Sequence, residues 1–354
     1  MRPFTYARPD DAEAAVATVG ADPGAVFLAG GTNLLDHLKL GVATPSSVVD
    51  LGRVTSTAIT ELDDGGDGDG DGDGDGAARS STTRSGLRIG AGALNSDVAA
   101  HPLVRRRYPA LAQALLAGAS GQLRNMATTG GNLLQRTRCV YFADTTTPCT
   151  KRDLTQPCSA REGWTRYHAI LGASEHCLAT HPSDMAVALV ALDATVQVLG
   201  ADGTRTLPVA ELHRLPGDDP THDTVLRHGE LITAVDLPAS PIAARSAYRK
   251  VRDRASYAFA LVSVAAALGV REGTVADVRI ALGGVAPKPW RATRAEDALR
   301  GAPATDESYR AAARAELADA DPVESPLGGN RFKLDLVVGA LTDTLRRLTE
   351  EQHS

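Results

Sequence analysis

The sequence of 354 residues has few long apolar runs, no excess of positive charge and only four cysteines. No stretch approaches the roughly 18 consecutive apolar residues that span a bilayer, so we predict no membrane span. The formal net charge of −6 argues against a nucleic-acid partner, because nucleic-acid binders present a basic face. The first residues lack the apolar segment of a secretory signal, so the default expectation is a cytoplasmic protein.

The negative charge is concentrated in one segment. Residues 63–76 read DDGGDGDGDGDGDG and hold seven aspartates, which leaves the rest of the chain near neutral. A segment of this composition has nothing to bury, so we predict an acidic, solvated loop. Calcium binding is the less favoured interpretation, because the loop lacks the Gly and closing Glu positions of an EF-hand.

Hydrophobic periodicity predicts an α+β fold with two parts, residues 1–229 and 230–354. A helix is expected to begin at Asp10 or Asp11 and to end at Gly20, and Asn95 is expected to cap another helix. The other predicted helices cover residues 109–118, 184–192, 292–299, 306–318 and 331–349. The predicted strands cover residues 25–29, 47–51, 87–89, 195–199, 204–209, 231–237, 246–251, 259–270 and 275–285.

Two glycine turns carry the first chemical signal. Gly30-Gly31-Thr32-Asn33 lies between a predicted strand and a helical pattern, and residues 128–132 (TTGGN) repeat the same residue types. Glycines in such turns let backbone N–H groups converge on an anion. Neither turn matches GxGxxG or the P-loop, which disfavours a Rossmann or ATPase site. Together the turns could hold a diphosphate, whereas each alone could be a plain turn.

The four cysteines lie within one 39-residue window with the spacing C-x9-C-x8-C-x18-C. Zinc ribbons show close C-x2–4-C pairs, which are absent here. Disulfides would be unusual in a reducing cytosol. A [4Fe-4S] cubane needs no close pairs, so the spacing favours it, while zinc and unligated thiols remain open. We expect four flanking basic residues to favour thiolates: Arg136, Arg138, Lys151 and Arg152.

Three runs of residues resemble the FAD-binding subunits of the molybdenum hydroxylases, the family of xanthine dehydrogenase, carbon monoxide dehydrogenase and aldehyde oxidoreductase. They are FLAGGTNL at residues 27–34, ATTGGNLLQRTRC at 127–139 and HPSDM at 181–185, and YRKVRDR at 248–254 extends the similarity. The cysteine segment between GGN and HPSD is similar to the [4Fe-4S] insert of the branch that contains bacterial periplasmic aldehyde oxidoreductase.

This resemblance implies the fold and its division. Residues 1–229 would form a two-lobed FAD-binding domain of the PCMH or vanillyl-alcohol-oxidase type, and residues 135–181 would form its [4Fe-4S] insert. Residues 230–354 would form a smaller α+β domain like the C-terminal domain of carbon monoxide dehydrogenase flavoproteins. The acidic segment, residues 63–76, has no counterpart in the family pattern.

The resemblance also implies the cofactor contacts. Residues 27–34 would wrap the FAD diphosphate, Thr128 would bind FAD through its hydroxyl, and Gly131 and Asn132 would belong to a second clamp on the cofactor. Asp184 would hold a polar part of FAD, the main chain of Ile232 would contact the isoalloxazine, and Lys250 would lie at the carbonyl edge of that ring. Without the resemblance, Asp184 could cap a helix, Lys250 would be solvated and Ile232 would belong to the core. The FAD residues are Phe27, Leu28, Ala29, Gly30, Gly31, Thr32, Asn33, Leu34, Thr128, Gly131, Asn132, Asp184, Ile232 and Lys250, and the cluster ligands are Cys139, Cys149, Cys158 and Cys177.

The function implied by the resemblance is electron transfer within a larger complex. A molybdenum-cofactor large subunit would oxidise the substrate, a [2Fe-2S] small subunit would relay electrons to FAD, and an external acceptor would receive them. The chain would therefore hold no substrate-oxidising residue of its own. The alternatives are a stand-alone FAD oxidase or reductase and a zinc-organised scaffold. Co-export with a partner that bears a twin-arginine signal would make the complex periplasmic.

Overall fold

The computed structural model describes residues 1–62 and 85–352, so the predicted acidic loop at 63–76 lies outside the described residues. The strands are β1 (Thr5–Ala7), β2 (Ala25–Leu28), β3 (Ser47–Asp50), β4 (Ile59–Glu61), β5 (Leu87–Gly90), β6 (Thr195–Gly200), β7 (Gly203–Pro208), β8 (Leu231–Leu237), β9 (Ser246–Val251), β10 (Val262–Arg271), β11 (Thr274–Gly283) and β12 (Trp290–Arg291). The mixed helix and strand content confirms the α+β prediction.

Most helices are short and lie between the strands of the first half. They are α1 (Ala12–Ala21), α2 (Leu34–Leu40), α3 (Asn95–Ala100), α4 (Pro102–Arg107), α5 (Pro109–Ala117), α6 (Gly121–Arg124), α7 (Thr129–Leu133), α8 (Val140–Ala143), α9 (Asp184–Ala191), α10 (Val209–Leu212), α11 (Thr293–Leu299), α12 (Asp306–Glu316) and α13 (Phe332–Glu350). Within the described residues, no helix is both long and apolar enough to cross a membrane.

Three sheets organise the described part of the chain. A small parallel sheet has the order β1-β3-β2, an antiparallel sheet has the order β4-β5-β8-β6-β7, and a second antiparallel sheet has the order β12-β11-β10-β9. Since β8 pairs with both β5 and β6, the second sheet extends past the predicted boundary at residue 230. The two-domain division itself stays a prediction.

Helix α9 joins the two larger sheets. Every one of its residues, DMAVALVA, is buried, as expected for a helix that is apolar on all sides. It packs against α5 on one side and against β10 and β11 on the other. The core of the second sheet therefore continues through α9 to Tyr248 and Ala265 of the third sheet. This arrangement places the start of α9 where both halves of the chain meet.

Two predicted helix starts differ in outcome. Asp11 caps α1 as predicted, because its side chain accepts a hydrogen bond from the Ala14 N–H at 2.7 Å. The prediction that Asn95 caps α3 is wrong, since the cap is Leu94 and Asn95 is the first helical residue. The Asn95 N–H instead donates to the Ala127 carbonyl at 2.9 Å, which ties α3 to the second glycine turn.

Candidate functional site

The two glycine turns lie against each other. A Cβ atom at Gly30 would overlap the Met126 carbonyl oxygen, so only glycine allows this approach of the two backbones. Gly31 has a φ of 73°, in the left-handed region that glycine adopts without strain. Asn33 adds a further link, because its Oδ1 accepts a hydrogen bond from the Arg136 N–H at 2.9 Å. The sequence predicted that both turns belong to one site, and the contact between Gly30 and Met126 places them side by side.

The second turn is the start of α7, and it connects to the start of α9. Thr128 caps α7 by accepting a hydrogen bond from the Gly131 N–H at 3.2 Å. The Asn132 Oδ1 accepts a hydrogen bond from the Ser183 hydroxyl at 2.6 Å. That hydroxyl also accepts from the Ala186 N–H at 3.0 Å, so Ser183 is the cap of α9. Asp184 is therefore free of the capping role that the sequence left open for it.

Asp184 and Lys250 form a buried ion pair. The Lys250 Nζ lies 2.7 Å from Asp184 Oδ2, and the two side chains are 4% and 9% exposed. Lys250 also donates to the Ala117 carbonyl at 3.2 Å, and the Tyr248 hydroxyl donates to Asp184 Oδ1. Burial, and then the charge of Asp184, hold the pKa of Tyr248 well above its usual value. Lys250 is thus not the solvated lysine that its position in a charged segment would otherwise indicate.

A cavity of about 570 Å³ lies between these groups. This volume is in the range of cofactor pockets, roughly 300–1,000 Å³. Five of the predicted FAD residues line it: Thr32, Gly131, Asn132, Asp184 and Lys250. Three arginines on the wall, Arg124, Arg138 and Arg254, supply positive charge suited to a diphosphate. The turns, hydroxyls and cations around this space fit a dinucleotide cofactor such as FAD.

The remaining predicted FAD residues lie behind this wall or away from it. Phe27 and Ala29 pack against the core of the small parallel sheet, and Thr128 holds the second turn from behind. Ile232 is buried in the core of the second sheet, beside a β-bulge opposite Gln197 and Val198, and is outside the cavity lining. Its predicted main-chain contact with the isoalloxazine stays a prediction.

The four cysteines surround a second, much smaller space of about 10 Å³. All four are free thiols, with Cys149 and Cys177 buried and Cys139 and Cys158 partly exposed. Within residues 1–62 and 85–352, no three His, Cys, Asp or Glu side chains are arranged to hold a single metal ion. The donor set is the one that an iron–sulfur cluster requires.

Burial outweighs the flanking charge at two of these thiols, Cys139 and Cys177. It raises the pKa of Cys139 to about 12 and that of Cys177 to about 11, despite the opposing effect of Lys151 on Cys177. Arg136 and Lys151 both pair with Asp223, and Arg152 donates to the carbonyls of Tyr141 and Phe142. Lys151 thus acts on Cys177 in the expected direction, but burial outweighs its effect.

One cysteine belongs to both spaces. Cys139 lines the large cavity and the cysteine cavity, and it begins the short helix α8. Next to it lies His168, a residue that the sequence analysis missed because no motif marks it. The His168 Nε2 is 3.2 Å from the Cys139 Sγ. Burial, and then the charge of Lys333, lower the pKa of His168 to about 4, so its ring is neutral at pH 7.

Comparison with known proteins identifies the family. The model for the FAD binding domain in molybdopterin dehydrogenase matches residues 2–66 and 77–240, and the CO dehydrogenase flavoprotein C-terminal domain matches residues 215–348. The chain is 47% identical over 347 residues, 98% of each chain, to the aldehyde oxidoreductase FAD-binding subunit PaoB of Escherichia coli K12. It is 26% identical over 333 residues to the carbon monoxide dehydrogenase medium chain of Hydrogenophaga pseudoflava, covering 93% of this chain and 91% of that one.

Solved structures agree with these sequence matches. Carbon monoxide dehydrogenase from Hydrogenophaga pseudoflava superimposes with a TM-score of 0.70 at 27% identity, over 98% of this chain and 97% of that chain. Quinoline 2-oxidoreductase from Pseudomonas putida 86 shares the fold, with a TM-score of 0.71 at 22% identity over 99% and 98% of the two chains. These findings confirm the resemblance and the predicted fold class. The chain belongs to the FAD-binding subunits of the molybdenum hydroxylase family, as an oxidoreductase flavoprotein subunit.

Proposed function

We propose that this chain binds FAD in the large cavity and a [4Fe-4S] cluster on its four cysteines, and that it transfers electrons from a partner to an external acceptor. The observation that carries the proposal is that Cys139 lines both cavities, so the two cofactor sites share a wall. The large cavity supports FAD binding by its volume and by the two glycine turns against it. The free thiols around one centre support the cluster.

FAD, when bound, supplies the redox chemistry, and the protein supplies position and electrostatics. The backbone contact between Gly30 and Met126 holds the two glycine turns at a fixed separation on one side of the cavity. Asp184 holds the Lys250 ammonium in the cavity wall, where a positive charge would stabilise negative charge on a reduced cofactor. Because both side chains are almost fully buried, water screens this charge little.

The cysteines would serve as thiolate ligands, one to each iron. A cubane places its irons at separate corners, so it needs no group of three side chains close enough to hold one ion. The positive charge of the iron ions would stabilise the thiolate forms of the buried Cys139 and Cys177. The thiols would therefore lose their protons as they bind the cluster. The cluster could lie on the electron path, store electrons or stabilise the insert.

The proposed partners follow from the relatives. They are a molybdenum-cofactor large subunit, which would oxidise an aldehyde-type substrate, and a [2Fe-2S] small subunit. Several relatives are named as medium chains, and one is named as an aldehyde oxidoreductase subunit. The complex would be cytoplasmic by default, or periplasmic by co-export with a partner that bears a twin-arginine signal.

Replacing Cys158 by Ser tests the cofactor assignment. We expect the purified wild-type chain to contain flavin, iron and acid-labile sulfide, and the C158S variant to lose iron while it retains flavin. The matched control is Ser159→Ala, because Ser159 borders the same small cavity and its hydroxyl donates only to the Pro148 carbonyl at 2.7 Å. We expect S159A to keep both cofactors.

Three results would contradict the proposal in different ways. Flavin without iron in the wild-type chain would favour a stand-alone FAD oxidase or reductase. Zinc without flavin would favour a scaffold and overturn the proposal. Unchanged iron in C158S would show that Cys158 is not a ligand.

A further inference from the structure

His168 lies against one proposed cluster ligand and is held there from several sides. Its Nε2 is 3.2 Å from Cys139 Sγ, and its ring stacks on Tyr141 with centroids 6.3 Å apart and planes inclined by 30°. The residue is 3% exposed, so water does not compete for this contact. The ring also lines the large cavity, as Cys139 does. The imidazole therefore lies at the wall that the two cavities share.

The backbone of His168 is fixed by the start of the C-terminal helix α13. Its carbonyl accepts hydrogen bonds from the Lys333 Nζ at 2.8 Å and from the Asn330 Nδ2 at 3.1 Å. Its own N–H donates to the Thr165 carbonyl at 2.8 Å. Lys333 and Asn330 are both fully buried, so these bonds hold the residue rigidly. The position of the ring relative to Cys139 is thus set by the fold and not by the thiol.

We propose that His168 is a positioning residue that donates an N–H···S hydrogen bond from Nε2 to the Cys139 thiolate and so raises the reduction potential of the [4Fe-4S] cluster. The inference rests on the proposed function, because it needs a cluster on Cys139. A metal-bound thiolate has no proton to donate, so the contact persists only with the proton on Nε2. Such a bond draws negative charge from sulfur and stabilises the reduced, more negative cluster.

The hydrogen bond from His168 would act on the cluster at the wall that the two cavities share. Cys139 is the ligand that borders the large cavity, and His168 acts on that ligand from the same wall. The hydrogen bond would therefore tune the cluster at the point nearest the proposed FAD site. A histidine that only filled space there would leave the potential unchanged.

Redox titration of the full-length, iron-loaded chain tests the proposal. We expect His168→Phe, which keeps an aromatic ring but removes the donor, to make reduction of the cluster about tenfold less favourable, or about 59 mV for a one-electron couple. His168→Gln retains an N–H near the position of Nε2 and should restore most of this shift. The matched control is His176→Gln, because His176 borders the cysteine cavity but its Nε2 lies beside Asp218 at 3.9 Å.

The outcomes separate this inference from the proposed function. Absence of iron from the wild-type chain would refute the cluster itself. A wild-type potential in H168F with iron retained would overturn the inference and leave the cluster assignment intact. If H168F lost iron, then retention of iron and of the wild-type potential by H168Q would support a need for the donor. Loss of iron in H168Q as well would overturn the inference in favour of a packing role.

Discussion

At the scale of single residues, Asp184 and Lys250 act as one unit. The resemblance treated them as two separate contacts with FAD, but the structure joins them at 2.7 Å with little exposure of either. One residue comes from the start of α9 and the other from β9, about 66 positions later in the chain. No local pattern links residues so far apart, so the sequence could predict each residue but not their pairing.

Replacing both partners should cost less free energy of unfolding than the sum of the two single replacements. We expect Lys250→Met and Asp184→Asn each to lower the free energy of unfolding by about 3–5 kcal/mol, because each leaves a polar partner buried without its counterpart. The double variant should lose clearly less than the sum of the two. Urea unfolding of the four proteins measures this coupling. Additive losses would show that the pair contributes nothing beyond its separate side chains.

The cysteines and His168 show what residue patterns can and cannot reveal. Four cysteines in a short window are rare enough to indicate a shared centre, and the structure places all four around one cavity. His168 contacts one of these cysteines, Cys139, but a single histidine between Tyr167 and Ala169 carries no pattern. His168 and Cys139 are 29 residues apart in the sequence, and only folding brings them into contact.

At the scale of elements, the residue that caps α9 also binds a residue that lines the large cavity. Ser183 both caps the helix and donates to Asn132 of the second glycine turn, so one hydroxyl holds two walls of the cavity together. The sequence predicted the helix closely, over residues 184–192 against the observed Asp184–Ala191. It did not separate the role of Ser183 from that of Asp184, because either residue type can cap a helix.

Ser183→Ala should weaken both the helix and the cavity. We expect a loss of about 1–2 kcal/mol in the free energy of unfolding, from the lost cap and the lost bond to Asn132. FAD affinity should fall as well, since Asn132 lines the cavity. Isothermal titration of the deflavinated chain with FAD, together with urea unfolding, measures both effects.

The matched control is the cap of a remote helix. Thr305 caps α12 by accepting a hydrogen bond from the Ser308 N–H at 3.3 Å, and it is outside the cavity lining. Thr305→Ala should cost about 1 kcal/mol in stability and leave FAD affinity unchanged. An equal loss of FAD affinity in both variants would show that Ser183 acts only through general stability.

The longer helices and strands were predicted more accurately than the very short ones. The hairpin of β6 and β7, the long strands β10 and β11 and the helix α13 all lie close to their predicted ranges, because each has enough residues to show a period. No sequence pattern predicted β1, β4, α4 or the short helix α8 of the cysteine segment. β1 and β4 have three residues each, which is too few to show a period, and β1 pairs with β3 alone among the described strands.

At the scale of the whole molecule, Lys333 ties three distant segments together. From α13 its Nζ donates to the His168 carbonyl of the cysteine segment and to the Gly284 carbonyl after β11, at 2.8 and 2.7 Å. Burial, and then the charge of Arg166, lower its pKa to about 7. The unfolded chain keeps the ordinary lysine pKa of about 10.4, so it binds more protons than the folded chain above pH 7.

Stability should therefore rise with pH through this window. From about pH 7 upwards, the free energy of unfolding of the wild-type chain should rise relative to that of the Lys333→Met variant. The rise should be at most about 1.4 kcal/mol per pH unit. Comparing the two proteins cancels the titration of all other groups, including the buried thiols. Urea unfolding at pH 6, 7, 8 and 9 measures the difference. A difference that is constant with pH would show that Lys333 keeps an ordinary pKa when folded.

The ion pair between α9 and β9 also has a consequence for the order in which the protein is made. Asp184 leaves the ribosome well before Lys250, and the cavity wall further includes Phe259, Ser263 and Gly284 from the last third of the chain. During translation the glycine turns are therefore complete while the opposite side of the pocket has yet to be synthesised. The pocket is consequently incomplete until β11 has been made, and we expect nascent chains halted before β9 to bind flavin more weakly than the finished chain.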